Sequence, residues 1–228
     1  GGSSGTAVAL TVGWSLSQSR LGEDNGRSII ARIAGSNVNA GGDVTVSAED
    51  LARVETLAIG GAASGAGFTS SSVAFAFGGA GAVALNRVET TVSAKVETNS
   101  VITAGGAVTV SALDASRLTA DAGGVALALS VATQPGAAAV SVSVGVGVAD
   151  NELTSSVTAQ VSQSRLDATG AVKVEARSGE VSAKRLDALA IAGAGSVSVT
   201  TSNGIISGSL AGAFAVADND VTQTTQAS

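Results

Sequence analysis

The residues with the most evident capacity for chemistry are two acidic triplets. Asp150-Asn151-Glu152 and Asp218-Asn219-Asp220 hold carboxylate and amide oxygens at matching places, 68 positions apart. Clustered oxygen donors suit a hard cation such as calcium, which takes six to eight of them. One triplet offers about three, and the matching place upstream reads Leu85-Asn86-Arg87, with no carboxylate. Gly22-Glu23-Asp24-Asn25 is a further acidic turn. No glycine-rich nonapeptide array of the calcium-binding kind occurs. Calcium is therefore a candidate cofactor with weak ligands (Asp150, Asn151, Glu152, Asp218, Asn219, Asp220), and ordinary polar turns are the default expectation.

Acid–base or nucleophilic chemistry has less to work with. The chain contains no His, Cys or Tyr, so the commonest general bases and nucleophiles are missing. Carboxylates stand at Glu23-Asp24, Glu49-Asp50, Asp114, Asp121 and Glu180. They form no irregular cluster of the kind a polysaccharide-cleaving β-helix uses, and they read as solvated turn charges. The expectation is a non-enzyme. With no Cys, disulfides and thiolate metal sites are excluded. A net charge of −6 and the lack of any Lys/Arg run argue against a nucleic-acid partner.

The elements that must position these residues follow from how charge is distributed. Leu57–Asn86, Ala122–Ala149 and Ala188–Ala217 carry no Asp, Glu, Lys or Arg, and all 30 charged residues lie outside them. Such banding marks a repeat protein. Each band ends on one phrase: Val83-Ala84-Leu85-Asn86, Val148-Ala149-Asp150-Asn151 and Val216-Ala217-Asp218-Asn219. Downstream come IIARI (Ile29–Ile33), VSAKV (Val92–Val96) and VTAQV (Val157–Val161). Then follow AGGDVTVSA, AGGAVTVSA and ATGAVKVEA, beginning at Ala40, Ala104 and Ala168. Arg53-Val54, Arg117-Leu118 and Arg185-Leu186 complete the order. The repeats run approximately 1–24 (partial), 25–86, 87–151, 152–219 and 220–228 (partial). The whole reads as one continuous segment, 1–228, of a longer polypeptide.

Val140–Val148 alternates at period two, as do Val125–Leu129 and the VTV motifs, which is the signature of strands. The fold class expected is all-β: a repetitive parallel β-helix (β-solenoid) with repeats of about 64–68 residues. Gly-Gly pairs at intervals of 18 or 19 suggest three short coils per repeat, with Val, Leu, Ile and Ala pointing inward. Asn86, Asn151 and Asn219 read as a column of turn residues, since Asn tolerates left-handed backbone. The alternative topology breaks each band at its middle (Thr133–Gly136, Thr200–Gly204) into a long β-hairpin within a mixed sheet.

Hydrophobic residues make up 45 % of the chain, yet it has one Trp and four Phe. The bands are too rich in Ser, Thr and Gly for membrane helices, and the aromatic girdles of a membrane barrel are lacking. Membrane insertion is not expected. The Gly, Ser and Ala face of Val140–Val148 has two readings: a surface on which chains self-associate, or a close-packed seam between two sheets.

The phrases GAVALNRVETTVSAKVETNSVITAGGAVTVSA and VGVADNELTSSVTAQVSQSRLDATGAVKVEA resemble the degenerate repeats of giant bacterial surface proteins, the filamentous-haemagglutinin-like adhesins and related long exoproteins. The resemblance covers nearly all of the chain through a motif that is largely compositional. It implies an extracellular or cell-surface stalk whose partners are its neighbouring repeats. A host-surface or biofilm ligand would be bound elsewhere. A self-assembling fibre or sheath subunit is the alternative function, and a glycan-binding or glycan-cleaving β-helix the third.

Overall fold

The computed structural model describes residues 5–22, 26–67, 71–179, 185–200 and 206–228. Among these it is all-β, with every recorded strand pairing parallel. The order is β1 (Gly5–Leu21), β2 (Arg27–Ala34), β3 (Asn37–Ala40), β4 (Val44–Asp50), β5 (Arg53–Ala66), β6 (Ser71–Glu97), β7 (Val101–Ala104), β8 (Val108–Asp114), β9 (Arg117–Ala132), β10 (Ala138–Val161), β11 (Arg165–Ala168), β12 (Val172–Ser178), β13 (Leu186–Thr200) and β14 (Ile206–Ala227). They form four sheets. Sheet A runs β1-β6-β10-β14, with β2 also on β6; sheets B, C and D run β11-β7-β3, β12-β8-β4 and β13-β9-β5.

Each strand pairs with its own equivalent one whole repeat away. Val44 pairs with Val108 and Val108 with Val172; Val88 pairs with Leu153 and Leu153 with Val221. The chain therefore visits sheets A, B, C and D once per repeat. This corrects the expectation of three coils of 18 or 19 residues, because the Gly-Gly pairs fall at different stations of one long circuit. The hairpin alternative is also overturned. β9 and β10, on either side of Thr133–Ala137, belong to sheets D and A and do not pair with each other. That segment folds one sheet over another. The Thr201–Gly204 break lies outside the described residues.

Two kinds of core result. The second half of each long A strand meets sheets B and C around Val92, Val96, Ile102, Val108, Val110 and Val157. This is the body of the molecule, filled by β-branched and aliphatic side chains as expected. The first half of each A strand lies against sheet D and forms a thin two-sheet wing. Its interior is alanine, in groups such as Ala58, Ala82, Ala84, Ala120, Ala122 and Ala149, with Ser141 and Ser143 fully buried. Here the sheets approach until side chains no longer fit. A Cβ on Gly124 would land on the carbonyl oxygen of Val146, one on Gly60 on that of Gly81, and one on Gly145 on that of Gly193. Of the two readings of the small-residue face, the seam between sheets is the one observed.

Of the Val, Leu, Ile and Ala expected to point inward, the wing keeps Ala inside and turns Val, Leu and Ile outward. On its inner face stand Ala, Gly and Ser; on its outer faces stand Val, Leu, Ile, Phe and Trp. Gly124→Val should force the sheets apart and lower stability by about 3 kcal/mol, at the upper end for overpacking. Gly123→Val, where a Cβ would meet nothing within 4 Å, should change it by less than about 0.5 kcal/mol, as an exposed substitution does. Urea midpoints of the two variants check this, and equal losses would refute close sheet packing as the cause.

Candidate functional site

The acidic triplets do not come together as ligands. Asp150, Asn151 and Glu152 are consecutive residues inside β10, and Asp218, Asn219 and Asp220 are consecutive inside β14. In a strand, successive side chains leave on opposite faces. The four carboxylates stand on the outside of sheet A, whereas Asn151 is completely buried on the inside. The set proposed for calcium is split by the sheet. Among the described residues no group of three or more acidic, His or Cys side chains could hold a metal ion. The carboxylates instead form an acidic row in which Glu152 pairs with Arg87 at 2.7 Å. Partial burial pushes the Asp150 carboxyl above its ordinary value, and the neighbouring charges of Asp218, Glu152 and Asp220 push it the same way. Glu23, Asp24, Asn25 and Glu180 lie outside the described residues.

The asparagine column is real but is not a turn. Asn86, Asn151 and Asn219 are mid-strand and in register. Asn86 Nδ2 donates to Asn151 Oδ1 at 2.9 Å, and Asn151 Nδ2 donates to Asn219 Oδ1 at 2.9 Å. The same amides reach across to the facing sheet: Asn86 Nδ2 donates to the Thr119 carbonyl at 2.7 Å and Asn151 Nδ2 to the Asp187 carbonyl at 2.8 Å. Each amide therefore ties its repeat to the next and sheet A to sheet D. An aliphatic residue there would leave those links unmade. Left-handed backbone occurs instead at turns such as those of Gly35, Asn99 and Gln163, with φ of 55°, 56° and 47°. Beside them Ser36, Ser100 and Ser164 stack, the hydroxyls of Ser100 and Ser164 accepting from the backbone N–H of the preceding repeat's serine at 3.3 and 3.2 Å.

Beside the asparagines, where the wing joins the body, lie the fully buried charges found among the described residues. Asp50 and Asp114, expected to be solvated, are both fully buried. Asp50 accepts from the Ala52 N–H at 3.0 Å and from Thr90 Oγ at 2.9 Å, and Arg27 lies 3.2 Å away. Asp114 accepts from the N–H and hydroxyl of Ser116 at 2.9 and 2.6 Å and from Ser155 Oγ; Arg185 Nη2 is 2.9 Å from it. Burial by itself raises the Asp114 carboxyl, but the bonds from Ser116 and Ser155 and the Arg185 charge together hold it below the ordinary value. In the following repeat Ser178 takes this register position and accepts from Arg185 Nη1 at 2.9 Å. The signal for burial was present: Val44, Val46, Ala48 and Asp50 share one strand face. The recorded bonds of these aspartates go to the strand end, to the Thr90 and Ser155 hydroxyls and to the arginines, which is a structural use of charge.

The remaining candidates are surfaces. On sheet D, Val125, Leu127 and Leu129 belong to the central strand β9 and are still 49, 53 and 47 % exposed. On sheet A, Trp14 lies across Gly81, where any Cβ would collide with its ring.

Three outcomes are expected. Ser19 is in register with Asn86, whose Oδ1 has no partner. Ser19→Asn should extend the amide ladder and stabilise the chain by about 1 kcal/mol; an unchanged or lower urea midpoint would refute it. Asp114→Ala strands the Arg185 guanidinium and should cost about 3–5 kcal/mol. Because the folded Asp114 pKa lies below the unfolded value, its contribution is complete above about pH 4 and is lost as pH falls through the folded value. Urea midpoints followed from pH 5 towards 2 should therefore fall less steeply for Asp114→Asn than for the unaltered chain.

Comparison with protein-family models, with curated proteins and with solved structures finds no match to this chain.

Proposed function

We propose that the chain is a non-catalytic structural segment, a β-solenoid whose single coil is one whole repeat of about 65 residues. It would act as part of the stalk of a large bacterial cell-surface or secreted adhesin. The observation that carries this reading is the register of pairing. Strands of all four sheets lie parallel to their equivalents in the neighbouring repeat, as in Val44↔Val108↔Val172 and Leu118↔Leu186. Such stacking is open-ended. Every added repeat buries its neighbour's face and adds an interface, so stability grows along the axis.

The same register sets the proportions. Parallel strands are about 4.8 Å apart, so a coil of this size advances only that far for each 65 residues. Meanwhile β6, with 27 residues, spans up to about 90 Å across the axis at roughly 3.3 Å per residue. A solenoid built this way is a broad blade, stiff for its length and generous in side surface. That breadth, with its outward Val, Leu and Phe side chains, is what favours the second reading, a laterally associating fibre or sheath subunit.

The test is a series of chains carrying one, two and four extra copies of residues 87–151. Each copy should lengthen the particle by about 4.8 Å, measured by cryo-electron microscopy, with an axial reflection at that spacing. Growth of about 14 Å per copy would mean three coils per repeat, and compact particles of unchanged length would overturn the stalk.

A further inference from the structure

We infer that the outer face of sheet D is an interface for a second copy of this chain, packed wing to wing. The argument begins with relief. Along β9 the outward residues beyond the body are Val125, Leu127 and Leu129, a ridge. In register beside them are Gly61, Ala63 and Gly65 on β5, and Gly193, Gly195 and Val197 on β13, so the trough on β13 ends at the level of Leu129. Ridge and flanking glycines enclose an open apolar groove lined by Ala63, Gly65, Leu127, Leu129 and Gly195. Nearer the body the relief inverts. There β5 and β13 carry the bulk, Leu57 with Ile59 and Leu189 with Ile191, while β9 carries Gly123 between the two isoleucines.

A surface of this kind is complementary to itself. A two-fold axis running along the strands, between β9 and β13, sets Val125 and Leu127 of each copy over Gly193 and Gly195 of the other. The same operation sets Ile191 over Gly123 and brings Leu129 against Val197 at the outer end, an aliphatic contact where the trough closes. Both halves of the contact are satisfied at once, which is the requirement for a closed two-fold dimer. Knob into glycine trough is also how dry sheet-to-sheet interfaces close.

Charge selects this face, and its apolar extent fits this occupant. Seven aliphatic side chains of β9 and β13, from Val125 to Val199, are 39 to 57 % exposed. They form a contiguous apolar patch of the kind monomers rarely leave bare beyond a few hundred Å², on the scale one partner contributes to an interface. The border towards the body mixes signs, with Arg53, Glu55, Arg117, Asp121 and Asp187. The border of the sheet A face is dominated by Asp150, Glu152, Asp218 and Asp220, which would repel the same row on a second copy. That acidic row, with a net charge of −6, also disfavours an anionic lipid surface as the occupant.

Sedimentation of the 228-residue chain between 1 and 100 µM tests the inference, with far-UV circular dichroism to establish that each variant retains its strands. The unaltered chain should dimerise with little dependence on salt. Leu127→Ser removes the central knob. Gly193→Leu fills a trough where a Cβ meets only ordinary contacts with Val125. Each should raise the dimer dissociation constant at least tenfold, while Val144→Ser, on the outer face of sheet A, should leave it unchanged. Trp14, the one tryptophan and 66 % exposed on sheet A, should keep its emission maximum on dimerisation. A monomer at every concentration, or equal weakening by Val144→Ser, overturns the inference. So does a blue shift of Trp14 with neutral phosphatidylcholine vesicles and no dimer, which would assign the faces to lipid. The inference needs only the relief of sheet D. A monomer that still lengthens by about 4.8 Å per added repeat would remove the dimer and leave the stalk reading standing.

Discussion

The constraint on which the rest depends is in-register parallel pairing between equivalent residues of successive repeats. Once Val44 lies beside Val108 and Val108 beside Val172, every side chain stands next to its own counterpart. Whatever a position carries is then multiplied into a column. Apolar columns fill the body, alanine columns close the wing and serine columns hold the corners. Buried polar columns must satisfy themselves from one level to the next, because no water reaches them. Asparagine suits such a column, since an amide both donates and accepts and can pass a bond along the stack.

Charge obeys the same rule with opposite consequences. A column of buried carboxylates would place like charges about 4.8 Å apart, and unrelieved repulsion would follow. The chain meets this by bracketing each buried aspartate with hydroxyls and an arginine, and by replacing the aspartate with Ser178 in the following repeat. On the outside of sheet A the repeats vary too, Leu85 and Arg87 standing beside Asp150 and Glu152. Like charges still meet in register elsewhere, Arg53 beside Arg117 and Asp150 beside Asp218, on outer faces where water screens them. Identical Val, Ala or Asn residues, by contrast, stack well in the interior.

The wing shows how sheet spacing chooses which residues go inside. Two sheets with aliphatic inner faces ordinarily stand about 10 Å apart. With Gly and Ala inside they come closer, and backbone packs on backbone as at Gly124 and Val146. Burying alanine removes less apolar surface from water than burying leucine, so cohesion comes from close contact between backbones and from the ladders at either end. The larger side chains are left on the outer faces, where they furnish an apolar surface to the surroundings.

Much of this architecture was legible in the chain. The repeat period, the all-β character and the parallel relation follow from spacing and alternation, which are properties of a line of residues. The Val44, Val46, Ala48, Asp50 series placed the aspartate on one strand face with the valines, although its charge had read as solvated. Three matters were decided only in three dimensions. Alternation identifies two faces and cannot say which is inside; the Ala-Gly-Ser face won because its smallness lets two sheets meet. A Gly-Gly interval of 18 or 19 fits a short coil as well as a station on a long one, and only pairing partners 64 to 68 residues apart distinguish them. Finally, adjacency in sequence had grouped Asp150, Asn151 and Glu152 as shared ligands. The strand sends the acids outward and the amide inward, because its side chains alternate, and the function of each residue follows from the side on which it falls.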